Sequence, residues 1–269
     1  AMRKRHAALL VLLLLPFAGS CTRAPAVGEP IGEPELAEIA GKLRSFRNEA
    51  QSFRAVGQAE MTVSGRTLKM MFAGVYDVPG WLRADLRPEL ASLSASFTAL
   101  ALLDGDCASL YFPAKLMEVH GCLSEITGRA AWLDPAALLM GLHDPNLLTS
   151  LEGATLARDG EVVLVRGTSD GMGVSVKMDG EGLVRSVELS PEGGDGLVLV
   201  EYLDYGWKDD APVPGLVRMT AEEGTAHELY VELRYESLKP GEPIDRADYA
   251  LDVPAGALRI DWKELNVWR

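Results

Sequence analysis

The strongest constraint on this chain is a two-residue alternation of apolar and polar side chains that recurs through most of its length. Leu68, Met70, Phe72 and Tyr76 share one side of a stretch, and Leu82, Ala84 and Leu86 oppose Trp81, Arg83, Asp85 and Arg87. Further on, Leu229, Val231, Leu233 and Tyr235 oppose Tyr230, Glu232 and Arg234. Successive side chains of a strand point to opposite faces, so such stretches make strands with one apolar face and one wet face. The pattern predicts strands over 55–63, 67–76, 81–87, 94–103, 108–112 and 116–121. A second set is expected over 161–166, 174–178, 183–189, 197–205, 216–220 and 228–235. The breaks are turn chemistry, as at Ser64-Gly65, Val78-Pro79-Gly80, Asp104-Gly105-Asp106 and Asp179-Gly180. The connections are short, which makes sequence neighbours antiparallel.

Two segments depart from the alternation. Behind Pro34, the residues Leu36, Ile39, Leu43, Phe46 and Ala50 recur at helical spacing with charges between them, which predicts an amphipathic helix of four or five turns. Asp134-Pro135 is a cap followed by a first-turn proline. It opens the apolar run Ala136 to Leu142, and His143-Asp144-Pro145 ends that run. A helix apolar nearly all round must be buried on both faces, or bury one and offer the other to a ligand. Two helices are little cover for so many strands. Either the sheet closes on itself, or its interior is partly unfilled and holds a ligand.

Composition narrows the function. Of 269 residues, 48% are hydrophobic and 24% charged, which excludes wholesale disorder. The net charge of −13 speaks against a nucleic-acid partner, which needs basic surface, and against electrostatic adhesion to anionic lipid. No P-loop or H-E-x-x-H is present, and the four histidines are scattered, so neither a cofactor nor a metal site is expected. Gly167-Thr168-Ser169-Asp170-Gly171 matches G-x-S-x-G, but a strand pattern follows it where a nucleophile elbow needs a helix. It reads as a hairpin turn, and the chain as a non-enzyme. If the turn after Phe112 centres on Ala114-Lys115, then Phe112 faces Met117 and Cys107 faces Cys122. That pair is either bridged or two buried free thiols.

The amino terminus explains a mean hydropathy of +0.06. Arg3-Lys4-Arg5 precedes an apolar run from Ala7 to Leu15, too short to span a bilayer and of the form of a secretory signal. Ala18-Gly19-Ser20-Cys21 follows and resembles the lipobox of bacterial lipoproteins, with Ala18 where leucine is usual. The resemblance implies cleavage before Cys21, acylation of Cys21, and, with Thr22 next, an outer-membrane anchor facing the periplasm. The other reading is an ordinary cleaved signal and an incidental cysteine. Under the lipoprotein reading residues 1–20 are the signal peptide and 21–33 a Pro- and Gly-rich tether. Residues 34–269 are then one body, and loss of Arg3, Lys4 and Arg5 takes the formal charge from −13 to −16.

In order, these features resemble the LolA/LolB-type lipoprotein-carrier superfamily. The most telling residues run from Trp81-Leu82-Arg83-Ala84-Asp85-Leu86 through Leu103-Asp104-Gly105-Asp106 and Leu110-Tyr111-Phe112-Pro113 to Val119-His120-Gly121. The stretch from Tyr249 to Gly256 resembles the closing strand and turn of that superfamily. The resemblance implies a mainly β (α+β) fold. It would be a single unclosed antiparallel half-barrel of about 11–12 strands with an N-terminal helix and an inserted helical lid. It also implies a carrier or chaperone role, with acyl chains such as palmitate held non-covalently in an apolar concavity. The wall residues would be Met70, Phe72, Leu82, Leu86, Leu110 and Phe112, with Leu138, Leu139 and Leu142 from the lid. Leu90 is the nearest match to the leucine that assists membrane transfer in LolB-type proteins. The implied partners are the acyl chains of lipid or lipoprotein, the outer-membrane bilayer through lipidated Cys21, and a periplasmic carrier protein. The competing reading is an accessory lipoprotein of an envelope or secretion complex, with the same fold and a filled core.

Overall fold

The computed structural model describes residues 29–30, 32–47, 52–63, 66–77, 80–89, 98–105, 107–122, 138, 148–169, 171–191, 198–208, 211–221, 229–240 and 244–261. The chain opens with β1 (Glu29–Pro30) and the helix α1 (Glu33–Arg47). Six strands follow: β2 (Ser52–Val63), β3 (Arg66–Asp77), β4 (Trp81–Pro88), β5 (Ala99–Asp104), β6 (Cys107–Phe112) and β7 (Met117–Cys122). Beyond a long connection come β8 (Glu152–Asp159), β9 (Val162–Ser169), β10 (Met172–Met178), β11 (Val184–Pro191) and β12 (Val198–Leu203). The last are β13 (Gly206–Lys208), β14 (Ala211–Val213), β15 (Leu216–Ala221), β16 (Leu229–Pro240) and β17 (Leu258–Asp261).

Fifteen strands make one sheet, in the order β1-β8-β9-β10-β11-β12-β15-β16-β2-β3-β4-β5-β6-β7-β17. No ladder among the described residues joins β1 to β17, so the sheet is open. The two halves meet where β16 pairs with β2 along twelve-residue strands, from Leu229 opposite Val63 to Pro240 opposite Phe53. The register alternates as the sequence pattern requires. Ala59, Met61, Met70, Leu86, Leu110, Val165, Val176, Val200 and Val231 all point to the inner face and join one core. Leu36, Ile39 and Ala40 of α1 and Leu148 and Leu151 of the long connection belong to that same core.

Several details differ from the sequence expectation. The described residues form seventeen strands, where eleven or twelve were expected. One addition is β8, whose half-buried centre is too weakly apolar to show a period. Another is the separate β13–β14 hairpin. The last two are short strands at the sheet edges. Glu29–Pro30, in the expected tether, pairs with Thr155 and Leu156 of β8. Leu258–Asp261 pairs with β7 in parallel, so not all neighbours are antiparallel. An exposed edge invites pairing with other chains, and both edges are thus capped by segments from outside the body of the fold. The expected closing strand at 249–256 is not one: Arg246–Tyr249 is a turn of 3-10 helix, and extended chain follows. The G-x-S-x-G segment is a hairpin connection, with Ser169 of β9 opposite Met172 of β10. The expected helical insert and its Leu139 and Leu142 lie outside the described residues, as do Leu90 and Cys21.

The carboxyl-terminal segment straps the outer face. Arg246 ion-pairs with Asp77 at 2.6 Å and sits 5.6 Å from the centroid of the Trp81 ring. Tyr249 meets the same ring edge-on at 6.5 Å. Half-buried Tyr249, Leu251 and Val253 then alternate with exposed Ala250, Asp252 and Pro254, the pattern of an extended chain lying on a surface. The strap ends where Leu258 N–H donates to the Leu116 carbonyl at 2.7 Å and β17 begins.

Candidate functional site

The seven described wall candidates share the inner face. Met70, Leu86, Leu110 and Phe112 are buried in the main core, and Phe72, Leu82 and Leu138 are half-buried against it. The registers order this face into rows across β2–β5. One row reads Leu86, Phe72, Gly57 and, on β16, Tyr235. Two residues along, the row is Ala101, Ala84, Gly74 and Ala55. Beyond it come Leu103, Leu82, Tyr76 and Phe53. Large side chains therefore flank a line of small ones, and the inner face carries a trough that crosses four strands. Strands lie about 4.8 Å apart, so the trough is roughly 15–20 Å long. Ala101, Ala84 and Gly74 on its floor and Phe72 and Leu82 on its walls are only half-buried. Among the described residues the cover over this part of the face is incomplete.

The rows also explain Gly57. A Cβ there would lie 2.1 Å from the Arg234 carbonyl oxygen and 2.9 Å from Cε1 of Phe72. With glycine the Phe72 ring crosses the gap and meets Tyr235 edge-on at 5.6 Å. At the end of the trough, Phe53, Ala55, Tyr76 and Leu238 form a second small core, closed by Val213 of β14. The β13–β14 hairpin thus lies over one end of the inner face and also touches α1.

The buried polar groups described on this face are chiefly tyrosine hydroxyls, while at its β8 edge Arg158 pairs with Glu35 of α1. Tyr202 is fully buried and its hydroxyl donates to the Leu138 carbonyl at 2.9 Å, which fixes one point of the long connection over the centre of the sheet. Burial pushes the Tyr202 and Tyr235 phenols well above their ordinary range. Burial does the same for Tyr205, against the pull of Arg185, and its hydroxyl donates to the Val184 carbonyl at 2.6 Å. The inner-face residues of the three rows across β2–β5 carry no charge. Apolar surface without charge suits hydrocarbon and offers nothing to a charged substrate.

The outer face carries the charge. Glu201, Arg218, Glu232, Glu60 and Lys69 form one row over five strands. Lys69 pairs with Glu60 at 2.9 Å, and Glu232 is held by Arg218 and Arg234. Glu60, Lys69, Glu232 and Arg234 line a shallow polar groove of about 250 Å³ together with Gln58 and Glu89. At the β6–β7 edge, Ser109, His120 and Asp261 stand in one row across three strands. Nδ1 of His120 is buried with no hydrogen-bond partner among the described residues. Cys107 and Cys122, opposite each other in the next row, are joined by a disulfide. Among the described residues no group of acidic, His or Cys side chains could hold a metal ion, and no helix is long and apolar enough to cross a membrane.

This geometry can be set beside known proteins. No family model matches the sequence, and no curated protein matches it either. Solved structures do match. One is a domain from Vibrio parahaemolyticus assigned as an outer membrane lipoprotein-sorting protein. It is 14% identical, with a TM-score of 0.54 over 81% of this chain and 97% of that one. Another is a LolA superfamily protein from Nitrosomonas europaea, 13% identical, with a TM-score of 0.53 over 84% and 99% of the two chains. A DUF1329 family protein from Desulfovibrio piger is 10% identical, with a TM-score of 0.58 over 82% and 98%. The chain has a LolA/LolB-like fold. In that LolA/LolB-like frame the trough of β2–β5 lies on the inner face and the charged row on the outer one. The alternation placed Met70, Phe72, Leu82, Leu86, Leu110 and Phe112 on one side of their strands, and the structure puts that side inward. The alternation does not show the floor, because Ala55, Gly74, Ala84 and Ala101 become one line only when three registers are known.

Proposed function

We propose that this protein binds acyl chains of lipid or lipoprotein non-covalently on the inner face of its open sheet. In this reading it works at the outer membrane, anchored through acylated Cys21 and facing the periplasm. The observation that carries the reading is the half-covered, uncharged trough across β2–β5. A chain lying over Gly74, Ala84 and Ala101 between Phe72 and Leu82 would remove apolar surface from water on both partners. That burial is worth about 25 cal/mol per Å² before ordering costs. No bond is made or broken, so the protein is a carrier or receiver and not an enzyme. A periplasmic carrier would be the donor of the chain.

A second reading rests on a different observation. Leu36, Ile39 and Ala40 of α1, with Leu148 and Leu151, join residues of both halves of the sheet in one buried core. A filled core is what an accessory envelope lipoprotein needs. The two readings separate by native mass spectrometry of the protein purified from a periplasm, combined with titration of a fluorescent fatty acid. Co-purified lipid, or saturable binding that weakens in Ala84→Phe, supports the carrier. Neither lipid nor uptake, together with a stable protein partner, supports the accessory role.

A further inference from the structure

We propose that the β6–β7 turn and the start of β17 form a prong that inserts into a lipid bilayer; this rests on the acyl-binding reading and adds where the bilayer docks. The described residues expose four large apolar side chains: Val56, Leu116, Trp207 and Leu258. Two of them adjoin, since the Leu258 N–H donates to the Leu116 carbonyl at 2.7 Å. Leu116 is 54% exposed and Leu258 60%. Leu116 also has a φ of 46°, in the left-handed region that glycine or asparagine occupies at little cost. Asp204 is the one other described non-glycine residue there, and aspartate tolerates that conformation. Leucine at this tip thus carries backbone strain and apolar exposure together. Both are costs in water, and an apolar phase that takes the side chain relieves the second.

The size of the patch selects the partner. The two leucines offer roughly 200 Å² at most, by the area that corresponds to burying a leucine. A stable protein interface needs about 1,200 Å² or more. A bilayer has no such threshold, because each inserted side chain gains on its own. Lys115, exposed beside Leu116 with its ammonium 5.4 Å from the Phe112 ring centroid, can meet lipid phosphate while its stem stays on apolar surface. Phe112 begins the turn and faces inward into the main core next to Leu110.

The test uses the full chain carrying Cys21→Ser, so that an introduced cysteine is the reactive thiol. A polarity-sensitive fluorophore is placed at Leu116→Cys, and in a separate protein at Trp207→Cys. Each is mixed with vesicles of phosphatidylethanolamine and phosphatidylglycerol. A blue shift and quenching by nitroxide lipid at 116 but not at 207 is the expected result. A label at 116 that emits as in water, or no differently from 207, overturns the prong. A second protein combines Leu116→Asn, which relieves the strain, with Leu258→Ser. It should bind fluorescent fatty acid in solution as the parent does but take it up from vesicles about tenfold more slowly, the factor for one leucine-sized loss of transfer energy. Unchanged uptake overturns the prong. If the parent binds no fatty acid, the acyl-binding reading fails, and the label at 116 still decides whether the prong enters lipid.

Discussion

A Cβ at Gly57 has no room, since the Arg234 carbonyl oxygen would be 2.1 Å away and belongs to the backbone of the partner strand. Gly57→Ala should destabilise the fold by about 2 kcal/mol, the range for overpacking a tight site, and lower the urea midpoint accordingly. A midpoint unchanged from the parent would mean that β16 shifts at no cost. Glu232 gives a prediction in pH. Its burial opposes ionisation, but hydrogen bonds from Tyr230, Arg218 and Arg234 outweigh that and hold its pKa below the ordinary value. A depressed carboxyl stabilises the fold above its unfolded pKa, near 4.3. That contribution is lost as pH falls through the lower folded value. Glu232→Gln should therefore be less stable than the parent at neutral pH and lose less stability on acidification below about pH 4.5. Parallel stability–pH curves for the two proteins would contradict this. Such residues were legible in sequence only as types. Glu232 was plainly on a wet face, yet its three partners come from β15 and its own strand and are fixed by the register.

At the scale of elements, the strap and β17 protect the free edge of β7. Glu118 is buried on that strand and is neutralised by Arg259 at 3.1 Å. Truncation after Ala257 removes Arg259 and four residues of edge cover. The shortened protein should self-associate at concentrations where the parent does not, as read by light scattering after size-exclusion chromatography. A monodisperse truncation would show that β7 needs no cover. The long strands were legible because their alternation is strong, and α1 because Leu36 and Ile39 keep its period. The edge strands were not. Glu29–Pro30 is too short to carry a pattern, and Leu258–Asp261 alternates over only four residues; they are strands because β8 and β7 offer unpaired backbone groups. The β13–β14 hairpin was hidden for a related reason: Trp207 and Pro212 face each other in a two-stranded unit that has a single described residue, Val213, in a core.

For the whole molecule, the long-range ladder of β16 with β2 divides what is rigid from what can move. If acyl chains enter the trough, the sheet should hold its register while its coverings yield. Hydrogen exchange with and without fatty acid should show β2, β3 and β16 equally protected, and changed protection in α1 and the β13–β14 hairpin. Changes confined to the sheet would contradict the proposed route. The sequence by itself determined that the chain is a sheet with one apolar face and one charged face, because a period of two leaves each side chain no other choice of side. It also supplied the first helix and the turn at Asp179-Gly180. Tertiary structure alone decided which strands neighbour one another, and with that the rows. Ala55, Gly74, Ala84 and Ala101 are up to 46 positions apart in sequence. They become the floor of one trough only through three cross-strand registers, which depend on packing between distant strands and leave no mark on local sequence.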